Sequence, residues 1–446
     1  VGNDWFNKAT GKELYCTDDE SVSTIGDDSV NEGKMSPRNL QSSTMTDELK
    51  LSTNFKGKVI GISIKDRGAI LPAGHFADWA FWFSKTGAFI SSTYYGEKLP
   101  DWATQFNAEE NYLKYVRKGW DLLKPKETYN ESLNDNNPYE GKLFKKAPFM
   151  PYNLQDMYEA NDAGILRSTP YGNNLLVDFA KKAIEFESLG KDQITDFLAL
   201  SFSSTDYVGH VLGPRSIELQ DTYLRLDETI ADLLMYLDKT VGKGKYLVFL
   251  TADHAGAENV TYLKDNKYKV DNINYKNVQK DLKDFSEKVY GEDVLLNYSN
   301  YNVFLDKAKI KSKGLNVQEV KQNFKDFLQK QEFIKRVYTE EEVANANPND
   351  YYLNFVSKGY DPIQNGELVV TFKPGYVEYS ATGTTHGSPY AYDTHVPLIF
   401  FGCNIPKGQT HDRKEITQIA PTVTQLLQIT MPNSSDGKVL LELMQN

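Results

Sequence analysis

The sequence is poor in cysteine, with only Cys16 and Cys403 in 446 residues. The two lie far apart and form no CxxC pair, so the chain carries no cysteine-based redox or metal motif. One disulfide and two unpaired thiols both remain open. Long apolar runs are also missing, and no stretch is long enough to span a bilayer. The sequence therefore predicts no cysteine-based metal or redox motif and no apolar helix that spans a bilayer.

Basic residues are in deficit, because 50 Lys and Arg face 61 Asp and Glu, for a net charge of -11. Sequence-independent nucleic-acid binding needs a basic face, so we expect no nucleic-acid partner. A small anionic substrate stays possible, since a few local cations or metal ions can outweigh the overall charge. A composition with 40% hydrophobic and 25% charged residues is typical of a globular protein.

Short apolar runs alternate with helical periodicity along the chain. Each run is rich in β-branched or aromatic residues, which predicts buried strands at 59–64, 197–202, 246–250 and 398–401. The spacing predicts helices at 174–189, 214–241 and 415–429, with Pro214 in the first turn of the second. This alternation indicates an α/β fold, with a mostly parallel central sheet and helices on both faces.

Two segments interrupt the alternation within what we expect to be one domain over 1–446. Residues 95–165 have weak periodicity and are interpreted as a capping insertion. Residues 260–380 are interpreted as an insertion with a small α+β lobe, since the patterns predict strands at 301–305 and 367–372 and a helix at 317–331.

Carboxylates and imidazoles collect beside three of the predicted strands. Ligands of open α/β sheets bind at the carboxyl ends of the strands, and zinc prefers these side chains. The candidate zinc ligands are Asp206, His210, Asp253, His254 and His386. Any one such fragment is typical of a solvated surface pair, but three fragments beside three strands favour a metal site.

The spacing of these residues suggests how they close on a metal. Asp206 and His210 are four apart, and Gly209 makes a tight turn between them easy. Asp253 and the histidine after it follow directly on one predicted strand, so both can lie at the same edge of the sheet. His386 can complete either this pair or the pair of Asp206 and His210. The other histidines have no candidate ligand beside them at a predicted strand end, so they are interpreted as structural or surface residues. They are His75, His395 and His411.

Two cations follow the first predicted strand. Lys65 and Arg67 are two apart, and in an extended chain residues at that spacing point the same way. Two cations directed at one point form an anion site, and the arginine fork matches phosphate oxygens. The alternative is an ordinary charged loop in which Asp66 is their partner.

Together these motifs resemble those of the alkaline phosphatase superfamily. The resemblance rests on the runs at 205–214, 251–254 and 385–387, whose order is also similar to that of the nucleotide pyrophosphatase/phosphodiesterase branch. The spacing of Lys65 and Arg67 and the opening residues 1–5 look closest to PafA-type bacterial alkaline phosphatases. The resemblance runs over nearly the whole chain.

The resemblance implies a role for each candidate. One zinc would be held by Asp206, His210 and His386, and a second by Asp253 and His254. Asn3, Lys65 and Arg67 would bind the phosphoryl oxygens. A threonine or serine alkoxide would attack phosphorus and form a covalent phospho-enzyme that water hydrolyses. A periplasmic or secreted location also follows from the resemblance, and we expect a monomer.

The chain departs from the family pattern at its beginning. The family has an aspartate ligand of the second zinc at the end of a first strand, and its nucleophile precedes the Gly-Asn motif. Here that motif is Gly2 and Asn3. We therefore expect an N-terminally truncated chain that lacks a central strand, has an incomplete second zinc site and is inactive by itself.

The charge of the candidate anion site favours small phosphate monoesters as substrates, because a monoester dianion matches two cations better than a diester does. The alternative is a phosphodiesterase or nucleotide pyrophosphatase with the same two metals, in which Trp79, Phe81 and Trp82 form an apolar slot for the second substituent. A third possibility is a metal- or phosphate-binding module without turnover.

Overall fold

The computed structural model describes residues 2–145 and 149–444. Its strands, in chain order, are β1 (Asp4–Asn7), β2 (Lys12–Tyr15), β3 (Thr24–Ile25), β4 (Val59–Ser63), β5 (Trp79–Phe83), β6 (Phe89–Ser92), β7 (Phe197–Ser201), β8 (Leu247–Leu250), β9 (Leu295–Ser299), β10 (Asn302–Leu305), β11 (Ile334–Thr339), β12 (Leu368–Phe372) and β13 (Ile399–Gly402).

The α-helices, in chain order, are α1 (Met45–Ser52), α2 (Asp66–Ala73), α3 (Asp101–Ala108), α4 (Leu113–Lys118), α5 (Leu154–Ala160), α6 (Tyr171–Phe186), α7 (Ser204–Leu212), α8 (Ile217–Leu237), α9 (Val260–Asp265), α10 (Tyr275–Tyr290), α11 (Lys307–Ser312), α12 (Val317–Gln329), α13 (Glu340–Ala344), α14 (Tyr351–Lys358), α15 (Ala391–Thr394) and α16 (Ile419–Leu427).

The main sheet has the strand order β3-β6-β5-β4-β7. β4 pairs in parallel with β5 and β7, whereas β6 pairs antiparallel with β5 and β3. Every residue of β4 is buried, which explains why its sequence is a continuous apolar run. The α/β class predicted from the sequence is confirmed, and the antiparallel pairs at one side make this sheet mixed.

Close packing of α2 on β4 depends on Gly61. A Cβ at this position would lie 2.0 Å from the carbonyl oxygen of Ala69, which is backbone and cannot move aside easily. Absence of a side chain therefore lets α2, which begins just after Lys65 and carries Arg67 in its first turn, lie directly on the sheet.

β5 is an aromatic strand of the core, which the sequence interpretation missed. The ring of Phe81 lies 5.1 Å from that of Phe179 on α6 and 5.6 Å from that of Trp102, while Trp79 stacks on it. Phe81 and Trp82 are buried. The suggestion that Trp79, Phe81 and Trp82 form a substrate slot is therefore wrong, because Phe81 and Trp82 are buried in two different core clusters and the partly buried Trp79 stacks on Phe81.

A second, separate ladder pairs β8 with β13 in the antiparallel direction. Within residues 2–145 and 149–444, β7 pairs only with β4, and β8 pairs only with β13. The rings of Phe197 on β7 and Phe249 on β8 are 6.2 Å apart, so the two strands are neighbours in space. Both thus present an unpaired edge in the same part of the molecule.

The helix predicted over 214–241 is wrong at its start. Gly213, with φ +88°, ends α7, and its N–H donates to the carbonyl of Gly209 at 2.8 Å. α8 begins only at Ile217, where the Ser216 hydroxyl accepts from the N–H of Leu219. Pro214 therefore lies in the turn between two helices rather than in a first helical turn.

Residues 295–372 contain a four-stranded sheet of order β11-β12-β10-β9 with antiparallel pairs throughout. Its core includes Leu282 of α10, Val303 of β10 and Phe324 of α12, which are all buried. This core is distinct from that of the main sheet, where Phe179 packs.

Two further features concern the helices and the cysteines of the described residues. Among the described helices, none combines the length and the apolar character of a bilayer span. Cys16 is a buried free thiol, and Cys403 is a partly exposed one.

Candidate metal centre

The centre starts on α7, directly after β7. Asp206 and His210 are four apart on this helix, so their side chains share one face, and Asp206 Oδ1 lies 3.1 Å from His210 Nε2. Gly209 is an ordinary helical residue here. The tight turn expected at Gly209 is therefore wrong, and helical spacing brings the pair together instead.

Two further imidazoles reach the same carboxylate from distant segments. His254 follows β8, and its Nε2 lies 3.9 Å from Asp206 Oδ1; the Nε2 of His386 lies at the same distance. The rings of His254 and His386 stack with centroids 3.3 Å apart. Single ligand atoms of Asp206, His210 and His386 all lie within 4.8 Å of one another, which suits one metal ion.

Backbone carbonyls orient two of these rings. His210 Nδ1 lies 2.9 Å from the carbonyl oxygen of Thr384, and His254 Nδ1 lies 2.8 Å from that of Ala255. A carbonyl only accepts, so each Nδ1 carries a proton, and Nε2 is the ring nitrogen that faces the carboxylate of Asp206. The hydrogen bond to that carboxylate raises the pKa of His210. Holding the second ring nitrogen in this way is typical of histidine metal ligands.

The surroundings also set the charges of the ligands. Burial, aided by the nearby His254, lowers the pKa of His386 to about 4, which keeps this imidazole neutral. Burial opposes charge on Asp206, but hydrogen bonds with His210 and the charge of Lys65 hold its pKa well below the usual range. A neutral imidazole beside a carboxylate is the protonation state that zinc requires.

Lys65 belongs to this centre. It is the residue just before α2, and its ammonium forms an ion pair with the carboxylate of Asp206. The same ammonium lies 4.8 Å from the ring centroid of Tyr207. A cation is therefore held at the edge of the candidate metal site.

Arg67 is oriented by other residues. The extended geometry assumed for Lys65 and Arg67 is wrong, because α2 begins at Asp66 and Arg67 lies in its first turn. Nη1 of Arg67 donates to the Tyr15 hydroxyl at 2.9 Å, and that hydroxyl donates to Asp66 Oδ1 at 2.7 Å. Asp66, the partner in the charged-loop alternative, thus reaches Arg67 through Tyr15.

Asn3 lies at the start of the hairpin that carries Tyr15, the residue that bonds to Arg67. It precedes β1, and its carbonyl accepts from the N–H of Cys16 at 2.8 Å, next to Tyr15. Its side chain is exposed. The β1–β2 hairpin therefore brings Asn3 and Arg67 to the same side of the molecule through Tyr15.

Asp253 lies at the rim of the centre. Its side chain is 86% exposed, and its Oδ2 is 3.5 Å from His254 Nε2. In the described part of the chain, Asp253 and His254 are joined by no third carboxylate or histidine of their own at metal-binding spacing. Of this second pair, His254 is the residue that approaches Asp206, and Asp253 lies outside this contact.

Several supporting residues were not found by the sequence analysis. Tyr15 orients Arg67, and the Tyr379 hydroxyl donates to the carbonyl of His210 at 3.0 Å. Thr384 supplies the carbonyl for the His210 ring. These contacts join residues more than 50 positions apart, so the sequence does not show them. Only Thr384, two residues before the candidate ligand His386, lies close enough in the sequence to have been noticed. His75 is a structural residue, since its Nδ1 pairs with buried Asp47.

Comparison with known proteins gives consistent relatives. The family described as "Type I phosphodiesterase / nucleotide pyrophosphatase" matches residues 1–395. The chain is 42% identical over 447 residues to "Alkaline phosphatase PafA" of Elizabethkingia meningoseptica, covering 99% of this chain and 82% of that protein. It is also 42% identical over 450 residues to "Alkaline phosphatase PhoV" of Synechococcus elongatus, covering 100% of this chain and 80% of that protein.

A solved structure gives the same picture. The crystal structure of wild-type alkaline phosphatase PafA superposes with a TM-score of 0.96 and 41% identity, covering 100% of this chain and 86% of that one. The fold and the order of its elements are therefore shared over the whole described length.

Proposed function

Because this chain belongs to the type I phosphodiesterase / nucleotide pyrophosphatase family, within the alkaline phosphatase superfamily, we propose that it hydrolyses phosphate monoesters with two zinc ions and a covalent phospho-threonine intermediate. The class of enzyme follows from its relatives: over nearly its whole length it is 42% identical to two alkaline phosphatases, so it is a phosphoric monoester hydrolase. The metal, the intermediate and the individual residues are the proposed part.

One observation carries the proposal. The Nε2 atoms of His210, His254 and His386 all lie within 3.9 Å of Asp206 Oδ1, and the ammonium of Lys65 pairs with the same carboxylate. The residues proposed as metal ligands and the lysine proposed to bind phosphate thus lie at one carboxylate, which supports the proposal. Nitrogen and carboxylate oxygen donors, with no thiolate, fit zinc.

We assign the ligands to two ions as the family resemblance implies. Asp206, His210 and His386 would hold one zinc, and Asp253 and His254 would take part in holding the other. Bound zinc would supply positive charge to stabilise the attacking and leaving oxygens of phosphoryl transfer. The neutral state of His386 supports the first assignment, since it needs no proton to leave before binding metal.

The cations favour monoesters over diesters. A phosphate monoester carries more negative charge on its non-bridging oxygens than a diester does. Lys65 would neutralise one such oxygen, and the Arg67 fork would bind two others. The amide of Asn3 would donate a further hydrogen bond. Positioning and charge complementarity are what phosphoryl transfer chiefly requires.

The unpaired edges of β7 and β8 support a proposal about the nucleophile. A strand that pairs with both edges would satisfy their backbone groups and join the two ladders into one sheet. We propose that the threonine nucleophile follows such a strand. Its oxygen would bond to phosphorus as the ester alcohol leaves, and water would then break the threonine–phosphate bond and release phosphate.

The main alternative is phosphodiester or nucleotide pyrophosphate hydrolysis at the same metals, as the description of the matching family suggests. Two of the three rings of the aromatic slot that would have favoured this alternative, Phe81 and Trp82, are buried in the core. A binding module without turnover is the third candidate. A periplasmic or secreted monomer remains our proposal for its setting.

Metal analysis tests the proposal. We expect the natural gene product to bind two zinc ions, and His386→Ala to lower zinc content and abolish turnover of p-nitrophenyl phosphate. His395→Ala is the matched control and should keep both. A phosphothreonine trapped by acid quench during turnover would support the covalent step. Full turnover by a zinc-free preparation, or by His386→Ala without its zinc, would contradict the proposal.

A further inference from the structure

A second group of acids meets outside the candidate metal centre. It comprises Asp135 and Glu140, in the loop before α5, and Glu218, in the first turn of α8. One carboxylate oxygen from each lies within 4.8 Å of the other two. Glu140 is 5% exposed and Glu218 is 0% exposed. Three carboxyl groups in such a setting are costly unless something compensates their charge.

Each acid keeps one oxygen that is buried and without a hydrogen-bond donor. Among residues 2–145 and 149–444, Oδ1 of Asp135, Oε2 of Glu140 and Oε2 of Glu218 have no partner. Buried side-chain oxygens normally find a donor, so three unpartnered ones together are unusual. Their common location indicates a missing partner that all three share.

The other oxygen of each acid is held in place. The Tyr152 hydroxyl donates to Oε1 of Glu218 at 2.6 Å, and the Asn137 side-chain amide donates to Oε1 of Glu140 at 2.6 Å. A backbone N–H donates to Oδ2 of Asp135 at 3.3 Å. These bonds hold one oxygen of each carboxyl group and leave the other oxygen available to a cation.

The environment opposes negative charge on both glutamates. Burial first, and then the charge of neighbouring acids, raises the pKa of Glu140 to about 8. Burial first also raises the pKa of Glu218 to about 7. A cation in the cluster would relieve both effects.

We propose that Asp135, Glu140 and Glu218 bind one calcium ion. The donors are all oxygen, which suits a hard cation and not zinc. Calcium bonds to oxygen at about 2.3–2.6 Å, so two ligand oxygens on one ion lie up to about 5 Å apart. Because one oxygen of each acid lies within 4.8 Å of the other two, a single ion can contact all three acids. Flexible coordination also lets calcium take more oxygens from carboxylates or water.

This calcium would fasten the capping loop to the catalytic side of the protein. The N–H of Gly141 donates to the carbonyl of Val211 at 2.9 Å, and Val211 directly follows His210 on α7. In the same loop, the Tyr139 carbonyl accepts from the N–H of Gly383 at 2.9 Å. An ion between this loop and α8 would therefore also hold the loop against α7, which carries Asp206 and His210.

The test is calcium binding by the zinc-loaded protein. We expect one calcium per chain and a rise in melting temperature of about 4 °C at saturating calcium. Glu140→Gln and Glu218→Gln keep the shape of each side chain and should each abolish the calcium-dependent rise. Glu131→Gln removes one charge from an exposed residue of the same loop and should leave the rise unchanged.

A terbium probe tests the wild-type protein directly. Tyr152 bonds to Glu218, and the Trp120 ring lies 5.4 Å from the Tyr152 ring, so excitation of these rings should sensitise bound Tb³⁺. In zinc-saturated protein, we expect added calcium to displace Tb³⁺ and so to lower its luminescence. The proposal is overturned if millimolar calcium changes neither melting nor luminescence. It is also overturned if Glu140→Gln and Glu131→Gln bind calcium equally, or if the glutamine variants alone stabilise the protein while calcium has no effect.

Discussion

Tyr15 and Arg67 are joined by a hydrogen bond in which Nη1 of the guanidinium donates to the phenol oxygen at 2.9 Å. The phenol O–H donates a hydrogen bond to Asp66 Oδ1 at 2.7 Å, so the hydroxyl both accepts and donates. Burial and the charge of Asp66 raise the pKa of Tyr15 well above its usual range, which keeps the proton on the oxygen. The contact links the hairpin that carries Asn3 to the helix that carries Arg67.

Removal of this hydroxyl should loosen Arg67 without removing its charge. We expect Tyr15→Phe to lower kcat/KM for p-nitrophenyl phosphate about 10-fold, the value of one hydrogen bond to a charged group. Hydrolysis of bis-p-nitrophenyl phosphate should change little, since a diester relies less on Arg67. Thr17→Val is the matched control, because the Thr17 hydroxyl bonds to Asp66 but does not touch Arg67. Equal losses for both esters would indicate a general structural role instead.

Removal of the two cations should separate the two ester classes more strongly. We expect Lys65→Ala with Arg67→Ala to lower kcat/KM for the monoester by about 100-fold or more, since each loses a charge-assisted hydrogen bond. The diester rate should fall far less. Lys98→Ala, an exposed lysine, serves as the control. If the double variant loses the same factor on both substrates, the monoester argument fails.

The candidate ligands could be predicted because each follows or precedes a strand. Buried runs such as Val59–Ser63 are visible in the sequence, and the polar residues beside them must lie at strand ends. On this basis Asp206, His210, His254 and His386 were expected together, and the structure brings them to one carboxylate. Their role as zinc ligands remains a prediction.

Local backbone geometry and distant contacts were beyond the sequence. The start of α2 at Asp66 redirects Arg67, and nothing in the residue spacing shows a helix beginning one residue after Lys65. Contacts between Tyr15 and Arg67 depend on the tertiary fold, which periodicity does not report. The aromatic run of β5 satisfied the rules for a strand, but it was interpreted as a substrate slot.

The pair of His75 and Asp47 should make stability depend on pH. Burial opposes charge on His75, but hydrogen bonds to Asp47 and to the Leu40 carbonyl outweigh it and raise the pKa of His75 above 6.5. A raised folded pKa contributes stability below the unfolded pKa, and this contribution is lost as pH rises through the folded pKa. We expect the free energy of unfolding of the wild type, relative to His75→Gln, to fall as pH increases from 6 toward 9.

Denaturant unfolding at several pH values checks this prediction. His411→Gln is the control, because His411 is exposed, and its difference from the wild type should stay flat with pH. A difference for His75→Gln that grows with rising pH would have the wrong sign and would contradict the assignment.

Gly61→Ala should disturb the joint between α2 and β4. The added Cβ would lie 2.0 Å from the carbonyl oxygen of Ala69, so the helix must move off the sheet. We expect a loss of about 3 kcal/mol in the free energy of unfolding, with lower activity because Lys65 and Arg67 move with α2. Gly408→Ala is the control, since a Cβ there meets nothing within 4 Å. An unchanged melting temperature for Gly61→Ala would show that the helix packs more loosely than described.

The most direct test of the central claim compares two substrates on the zinc-loaded natural gene product that contains this chain. The measurement is kcat/KM for p-nitrophenyl phosphate against kcat/KM for bis-p-nitrophenyl phosphate. The cations at Lys65 and Arg67, beside ligands that converge on Asp206, predict a strong preference for the monoester. A preference for the diester would contradict the proposed phosphomonoesterase and favour the phosphodiesterase alternative.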